Sequence, residues 1–412
     1  MTTELTTADT KAPPLSSPAG AAAVVARIPG FERIRRMRYS RAVAVFLAVH
    51  VPLTILLVFF LQIHHTGATK GLTAWDGKWY IRVASGGYPT HFSYKDHLLQ
   101  YSAIAFFPAY PMLMAAVHTV TGLSVAKAGI LISWVAAPVA AAGIYAVLRQ
   151  FVSENVALCT VALWGSIPIA YIELLAYTES TYTAFAAWSL YALVRKRWLT
   201  AGLLAGLAGL THSTAVVLIG VVGLAALVEL WQRRADGPGA LWRPAAACLL
   251  APAGILGFFL YLWQHTGIMD AWFRSERAGS WNASFDFGRQ TITVLWHQVS
   301  EQHSYGKAAG PYIVATAVIV PLAVSVIALW RRRVLSWPLL VWVTLSLLST
   351  VTTSGIYSSK ARFLLPLFPL LLPAGGVLSR APRSTRLATF GVLVIVTASV
   401  GVFFLKLAGA AP

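Results

Sequence analysis

The sequence predicts an all-α, polytopic membrane protein. Of its 412 residues, 57% are hydrophobic and only 11% are charged, whereas soluble domains carry about 25% charged residues. The apolar residues fall into repeated runs of about 20, the length that crosses a bilayer core as a helix. Lysine and arginine collect at the ends of these runs, which is the usual signal for orientation in a membrane. The run lengths disfavour the alternative of a very apolar soluble helical protein.

The strong positive charge does not indicate a nucleic-acid partner. A net charge of +18 would favour one only if the charge lay on a soluble face, and here it lies beside the apolar runs. Both cysteines, Cys159 and Cys248, fall within such runs. We therefore expect small core residues at both positions, and neither a disulfide framework nor a cysteine metal site.

The chain opens with two regions of different character. Residues 1–40 are expected to form a disordered, basic cytoplasmic tail, because residues 1–26 are rich in Thr, Ala, Pro and Ser and several arginines follow. Residues 41–412 are expected to form the integral membrane domain. The apolar run at 42–63 is longer than the about 7–15 residues of a signal-peptide core, so we interpret it as a retained first span. Its basic flank places the N-terminus in the cytoplasm.

Two long polar loops, at about 64–102 and 264–310, are predicted to lie on the external face. Their aromatic residues favour short interfacial helices. Shorter polar segments at 173–180 and 354–362 are placed on the same face. Most of the acids and histidines fall in these four segments, so we expect the chemistry to be external.

The apolar piece at 105–120 is either a short span or an interfacial helix, because Pro108 and Pro111 disfavour a continuous helix there. Placing the basic connections inside requires an even number of crossings between Tyr101 and Glu179, which favours a non-crossing or re-entrant piece. Ten further apolar runs are candidate spans: about 128–148, 155–172, 178–194, 199–210, 213–230, 244–263, 311–330, 335–352, 363–379 and 387–407. With the basic connections inside, the topology has about 11 spans in the plasma membrane and an external C-terminus.

The stretch after the first span carries the strongest chemical signal. An acid, two cations and three aromatic rings lie together there: Trp75, Asp76, Lys78, Trp79, Tyr80 and Arg82. A turn or helix cap explains an isolated aspartate, and an interfacial belt explains the rings, but neither explains the two cations. In a helix, Lys78 and Arg82 share one face, whereas Asp76 and Tyr80 share another.

Four further residues are candidates on weaker grounds. Lys360 and Arg362 stand at the outer start of a span, where they are either snorkelling anchors or a phosphate clamp, for which a guanidinium fork is suited. Glu179 opens another span, where it either complements the helix dipole or binds sugar hydroxyls or a cation. His212 falls at a break between two apolar pieces, either as a functional group or as a neutral, hydrogen-bonded histidine.

We expect no metal and no cofactor. His297 and His303 share the second loop with Glu276 and Glu301, but the spacing matches no familiar ligand pattern. The chain also lacks a P-loop, a Gly-x-Gly-x-x-Gly cradle after a strand and a Gly-x-Ser-x-Gly elbow. Nucleotide-driven pumps and serine hydrolases are therefore disfavoured.

Four motifs follow one another over residues 75–370: Trp75-Asp76-x-x-Trp79-Tyr80 with Gly87-Tyr88, Phe106-Phe107-Pro108-x-Tyr110-Pro111, Tyr177-Thr178-Glu179-Ser180, and Arg362-Phe363-Leu364-Leu365-Pro366. Together they resemble the PIG-V-like mannosyltransferases, a family of GT-C membrane glycosyltransferases. The resemblance implies a GT-C-type helical bundle that takes its sugar from a polyprenyl phosphate on the external side. The acidic residue of the family's first external loop corresponds to Asp76. The chain departs from the family at Thr211-His212-Ser213, where the family often has Thr-Arg-Pro.

The resemblance implies an inverting transfer of mannose from polyprenyl-phosphate-mannose to an external lipid, glycan or protein hydroxyl. Asp76 would be the general base, and Arg362, with Lys360, Lys78 or Arg82, would hold the phosphate. The leaving phosphate monoester is a weak base, so the paired carboxylates of glycoside hydrolases are not needed. Two alternatives stay open: a lipid-linked-sugar flippase or transporter, which the near absence of charge within the spans disfavours, and a GT-C transferase for another polyprenyl-phosphate sugar.

Overall fold

The structure is a computed structural model and describes residues 31–95, 98–279, 281–300 and 309–407. Within these residues the chain is mostly helical, and one antiparallel hairpin pairs β1 (Tyr94–Lys95) with β2 (Leu98–Leu99). The all-α prediction is therefore confirmed.

The helices in chain order are α1 (Phe31–Ile63), α2 (Ala68–Leu72), α3 (Asp76–Gly86), α4 (Ala109–Thr121), α5 (Val125–Leu148), α6 (Glu154–Trp164), α7 (Glu179–Val194), α8 (Trp198–Gly209), α9 (Ala215–Gln232), α10 (Pro238–Thr266), α11 (Ala271–Glu276), α12 (Arg289–Ser300), α13 (Ala309–Arg332), α14 (Trp337–Val351), α15 (Leu372–Arg380) and α16 (Arg383–Val402). Short 3₁₀ turns cover Ala103–Ala105, Ala170–Leu174, Tyr357–Lys360, Arg362–Leu364 and Phe368–Leu371, and a π turn covers Phe403–Leu407.

Six helices in the described residues are long and apolar enough to cross a membrane. They are α5, α9, α10 and α13, together with Tyr39–Ile63 of α1 and the C-terminal Arg383–Lys406. A bent pair, Tyr357–Leu364 and Phe368–Arg380, makes a seventh if its two parts, which meet at 83°, form one broken span. The multi-span prediction is confirmed, whereas the count of 11 is not, because α6, α8 and α14 are apolar but shorter.

Two apolar runs that the sequence treats as single helices are broken in the structure. Helix α6 covers only the first part of 155–172 and ends before Pro168. In 363–379, Pro366 lies between the 3₁₀ turns Arg362–Leu364 and Phe368–Leu371, and the short helix α15 follows from Leu372. Proline lacks the backbone N–H that would donate within an α-helix, which explains both breaks.

The piece at 105–120 becomes the 13-residue helix α4, shorter than the about 20 residues that a crossing helix needs. It ends at Gly122, whose φ of 72° places it in the left-handed region that favours glycine.

The N-terminal boundary differs from the sequence-based one. Residues 1–30 lie outside the described part of the chain, and α1 begins at Phe31. Residues 31–40, assigned from the sequence to the disordered tail, are therefore helical.

The segment 173–180 is polar in composition but is buried in the structure. Glu173 is fully buried in the 3₁₀ turn before α7, and its Oε2 lies 3.6 Å from Nδ1 of His50 in α1. Glu179, at the start of α7, is 2% exposed. Helix α7 itself is buried along most of its length and packs against α5 and α8. Its N-terminus therefore delivers Glu179 to the interior of the bundle.

Candidate active site

Asp76 is the first residue of α3, where a carboxylate interacts favourably with the helix dipole. Trp75 before it has φ 55° and ψ −115°, a backbone conformation that costs about 1–3 kcal/mol for a residue with a side chain. The backbone N–H of Asp76 donates to Oη of Tyr177 at 3.3 Å. This turn sets the direction in which α3 presents the Asp76 carboxylate.

Arg362 joins two acids that are distant in sequence. Its Nη2 donates to Oδ2 of Asp76 at 2.5 Å, across 286 residues of chain, and its Nε lies 3.6 Å from Oε1 of Glu179. The side chains of Arg362 and Glu179 are 10% and 3% exposed, and that of Asp76 is 19% exposed. The structure thus brings three candidate residues into one cluster, in which Asp76 is the most accessible.

Two aromatic rings hold the guanidinium of Arg362. Its Cζ lies 5.2 Å from the centroid of the Tyr177 ring and 5.0 Å from that of Phe363. Cation–π contacts of this kind strengthen when they are removed from water. Tyr177 therefore touches both members of the Asp76–Arg362 pair, through its ring and through its hydroxyl group.

Arg362 also lines a small cavity, with room for about one water molecule, whose other walls are mostly apolar, with Ile169, Ile172, Val314 and Phe404 among them. Its Nη1 is buried and has no hydrogen-bond partner in the described residues. An unpaired guanidinium N–H is a strong donor for an anion. Arg362 thus lies at the boundary between an acidic cluster and an apolar cavity.

Trp79 and Tyr80 build an aromatic wall beside this cluster. Oη of Tyr80 lies 3.1 Å from Oγ1 of Thr178, and its ring packs edge-on against Phe106 and Tyr110. Trp79 stacks on Phe106, with centroids 5.8 Å apart. Tyr80 is buried, so it acts as a support for α3 in this structure.

The other candidate cations do not join Asp76. Lys78 and Arg82 are exposed, and the Arg82 guanidinium lies 5.7 Å from the Trp79 ring centroid. Lys360 is buried, and its Nζ donates to Oγ1 of Thr291 at 2.8 Å. Among the described residues, the ion pairs of Asp76 involve Arg362 alone.

His212 lies in the turn between α8 and α9, beside the residue that follows Arg362. Its ring packs against Phe363 at 5.5 Å and stacks with Tyr182 at 5.3 Å. Nδ1 accepts from the backbone N–H of Thr214 at 3.2 Å. Burial lowers the pKa of His212 to about 3, and the charge of Arg362 acts in the same direction, so the imidazole is neutral at physiological pH.

Two residues near the cluster were not chosen from the sequence. Tyr177 belongs to the motif Tyr177-Thr178-Glu179-Ser180, but nothing in the sequence marks it as a site residue. Its contact with Arg362 is seen only in the structure. Glu276 lies at the end of α11, and no sequence motif around it marks it as a site residue. Burial raises the pKa of Glu276 to about 7; the charge of Asp76 also raises it and the charge of Arg362 lowers it. The charges of Asp76 and Arg362 thus both act on the ionisation of Glu276.

Metal ligands are not grouped in the described residues: no set of three or more His, Cys, Asp or Glu side chains there is arranged to hold an ion. Glu301 and His303, considered from the sequence with His297, lie outside the described part of the chain.

No family model matches the chain, and no curated protein matches it. Among solved structures it is similar to ArnT from Cupriavidus metallidurans bound to undecaprenyl phosphate, with 14% identity and a TM-score of 0.49 over 85% of this chain and 63% of that one. The apo state of the same ArnT gives 15% identity and a TM-score of 0.47, over 86% of this chain and 62% of that one. The chain thus spans less than two thirds of the ArnT chain, and we infer its activity from the site itself.

Proposed function

We propose that this protein is a membrane glycosyltransferase that transfers mannose, with inversion, from polyprenyl-phosphate-mannose to a hydroxyl of an external lipid, glycan or protein. One observation carries the proposal. Arg362 contacts two carboxylates and keeps a buried N–H that has no hydrogen-bond partner in the described residues. A guanidinium with a free N–H beside a carboxylate suits the binding of an anionic phosphate head next to a general base.

In the proposed reaction, the acceptor oxygen attacks the anomeric carbon while the bond from that carbon to the phosphate oxygen breaks. Asp76 takes the acceptor proton as general base. Arg362 bonds only Oδ2 of Asp76, which leaves Oδ1 for the acceptor. The leaving phosphate carries its own negative charge and needs no acid to protonate it.

Arg362 is the proposed phosphate clamp, because a planar guanidinium donates to two oxygens at once. Glu179 adds a negative charge 3.6 Å from Nε, and the rings of Tyr177 and Phe363 restrict the movement of the guanidinium. Preorganised charge of this kind stabilises a leaving group without reorganisation during the reaction. Lys78 and Arg82 are exposed, and in the described residues neither forms an ion pair with Asp76.

The direct test is Asp76→Asn, assayed in membranes with labelled polyprenyl-phosphate-mannose. A general base contributes about 10²–10⁴-fold, so transfer should fall by that factor. Asp270→Asn is the matched control, because Asp270 is exposed and pairs only with Arg274 at 2.7 Å in the described residues. Transfer near the wild-type rate in Asp76→Asn would remove Asp76 from this role.

Mannose is proposed on the strength of the resemblance to PIG-V-like enzymes. A competition assay checks it: unlabelled polyprenyl-phosphate-mannose should suppress labelled transfer, whereas the glucose and arabinose donors should not. Suppression by one of the latter would reassign the sugar and leave the reaction class in place.

A lipid-linked-sugar transporter is the second candidate, and one observation favours it. His50 lies within the first candidate span, and the fully buried Glu173 carboxylate approaches it at 3.6 Å. Ionisable groups inside a membrane protein mark transport paths as well as catalytic sites. Proteoliposomes separate the two functions: translocation of the lipid-linked sugar without a new glycosidic bond would establish the transporter.

A further inference from the structure

The turn that leads into Asp76 is held in a conformation that its sequence does not favour. The backbone N–H of Gly77 donates to the carbonyl oxygen of Ala74 at 3.2 Å, so residues 74–77 form a tight turn. Trp75 takes the second position of that turn with φ 55° and ψ −115°, close to a type II′ turn, in which glycine is the usual residue there. Such a backbone persists only where the surrounding structure determines it. A contact from outside the turn is therefore needed to hold Asp76 in place.

Tyr177 supplies such a contact through its hydroxyl group. Its Oη accepts from the backbone N–H of Asp76 at 3.3 Å, one of the N–H groups at a helix N-terminus that have no partner within the helix. The side chain of Tyr177 is buried. Burial raises the pKa of this hydroxyl, and the charge of Asp76 raises it further, while the charge of Arg362 lowers it. The hydroxyl therefore stays protonated and acts as a hydrogen-bond partner rather than as a base.

The backbone around Tyr177 is itself fixed by neighbouring helices. The carbonyl oxygen of Tyr177 accepts from Oγ of Ser133 in α5 at 3.1 Å, and Oγ of Ser133 lies 2.8 Å from Oη of Tyr110 in α4. The next residue, Thr178, reaches α3, because its Oγ1 lies 3.1 Å from Oη of Tyr80. With these attachments to three helices, the Tyr177 hydroxyl keeps a fixed position towards the turn.

The ring of the same residue contacts the other half of the site. The Cζ atom of Arg362 lies 5.2 Å from the centroid of the Tyr177 ring, and it lies 5.0 Å from the centroid of the Phe363 ring. No hydrogen bond in the described residues joins Phe363 to Asp76. Tyr177 thus contacts Asp76 and Arg362 through two different groups, whereas Phe363 contacts Arg362 through its ring.

We propose that Tyr177 is a positioning residue with two separable actions: its hydroxyl holds Asp76 towards the acceptor, and its ring holds Arg362 towards the lipid phosphate. The inference rests on the proposed transferase reaction, in which Asp76 takes the acceptor proton and Arg362 binds the leaving phosphate. In this role Tyr177 exchanges no proton and forms no bond to the sugar.

The first test is Tyr177→Phe, which removes the hydroxyl and keeps the ring. The kcat for transfer should fall about ten- to hundredfold, because a misplacement of about 1 Å costs up to about 100-fold. The KM for polyprenyl-phosphate-mannose should change less than about twofold, because the ring contact with Arg362 remains. The amount of folded protein, measured by size-exclusion chromatography in detergent, normalises kcat. Tyr88→Phe is the matched control: it removes a half-buried hydroxyl that donates to the carbonyl oxygen of Phe106 at 2.6 Å, and it should leave both constants unchanged.

Two further variants separate the ring from the hydroxyl. Phe363→Leu removes a ring contact with Arg362, so the KM for the lipid donor should rise about three- to thirtyfold, the effect of losing a cation–π contact that is shielded from water. Its kcat should stay near the wild-type value. Tyr177→Leu loses both the hydroxyl and the ring, and it should combine the fall in kcat with the rise in KM.

A final comparison asks whether the hydroxyl acts through Asp76. In the Asp76→Asn background, Tyr177→Phe should reduce the residual transfer little further, because residues that act as a unit are not additive. An undiminished loss in that background would overturn the role of Tyr177 and leave the transferase proposal intact. The same holds for an unchanged kcat in Tyr177→Phe, or for a rise in its KM as large as the fall in kcat. Absence of transfer by the wild-type protein would overturn both proposals.

Discussion

Arg362 holds Asp76 through Nη2 and approaches Glu179 through Nε, while the rings of Tyr177 and Phe363 lie against it. Loss of one partner from a buried ion pair typically costs about 3–5 kcal/mol, because the other charge is left uncompensated. A test of Arg362 should therefore keep its charge.

Arg362→Lys meets that condition. Lysine supplies a point charge but cannot bond Asp76, Glu179 and a phosphate at once. A hydrogen bond to a charged group contributes about 1.5–3 kcal/mol, so the KM for the lipid donor should rise about ten- to hundredfold. Arg82→Lys is the matched control, since Arg82 is exposed and stands over Trp79. An unchanged dependence on donor in Arg362→Lys would refute the clamp.

The ionisation of Glu276 predicts how stability depends on pH. Its pKa rises from an ordinary 4.5 to about 7 on folding. This group therefore contributes most to stability below pH 4.5, and the contribution is lost as the pH rises through about 7. The wild-type melting temperature should fall between pH 5 and pH 8, and the fall should be smaller in Glu276→Gln. Melting temperatures are measured in detergent by tryptophan fluorescence. An equal fall in melting temperature for the two proteins would show that Glu276 does not titrate in this range.

At the scale of elements, glycines let α8 and α10 pack unusually closely. A Cβ at Gly254 would lie 2.0 Å from the carbonyl oxygen of Gly206, and one at Gly202 would lie 2.9 Å from Cα of Ala247. Small residues at such crossings are the usual means by which membrane helices approach each other.

Gly254→Ala should therefore lower the melting temperature, because the clash is with backbone and cannot be relieved by a rotamer change. Gly257→Ala is the control: it lies on the same helix, and a Cβ there would meet no atom within 4 Å. Alanine also favours a helix over glycine by about 0.5–1 kcal/mol, so this variant should be as stable as the wild type or more so. Equal melting temperatures for the two variants would contradict the close crossing.

The bend in the helix pair that contains Arg362 also has a cause in the nearby sequence. Pro366 lies at the break between Tyr357–Leu364 and Phe368–Arg380, which meet at 83°. An unbroken helix would continue the chain past this point in one direction. The break instead holds Arg362 in a short 3₁₀ turn, where it reaches the start of α3 and of α7.

At the scale of the whole molecule, orientation stays a prediction. The basic connections place Ala235, between α9 and α10, in the cytoplasm, and place Ser85, on α3, outside. Both residues are exposed. In a variant in which Cys159 and Cys248 are replaced by alanine, an impermeant maleimide added to intact cells should label Ser85→Cys and not Ala235→Cys. The reverse pattern would invert the topology and place the candidate site inside the cell.

Much of the fold can be predicted from short stretches of the sequence. Span-length apolar runs recur along the chain, and the structure confirms the multi-span helical class because a helix satisfies its backbone polar groups within its own segment. The same local reasoning was wrong where prolines break the runs at 155–172 and 363–379, and it does not give the number of spans. Proline was visible in the sequence, but whether it kinks, ends or merely begins a helix depends on the packing around it.

The candidate site was also predictable only in part from the sequence. The sequence by itself drew attention to Asp76, Glu179 and Arg362, because charged groups stand out among apolar runs. Only the tertiary structure placed Arg362 beside both acids, left Lys78 and Arg82 exposed, and added Tyr177 and Glu276. Arg362 and Asp76 are 286 residues apart in the chain, so their pairing depends on contacts between distant segments. The burial of each side chain depends on such contacts as well. The sequence therefore determined the class of protein and the charged residues available to it, and the folded chain decided which of those charges act on one another.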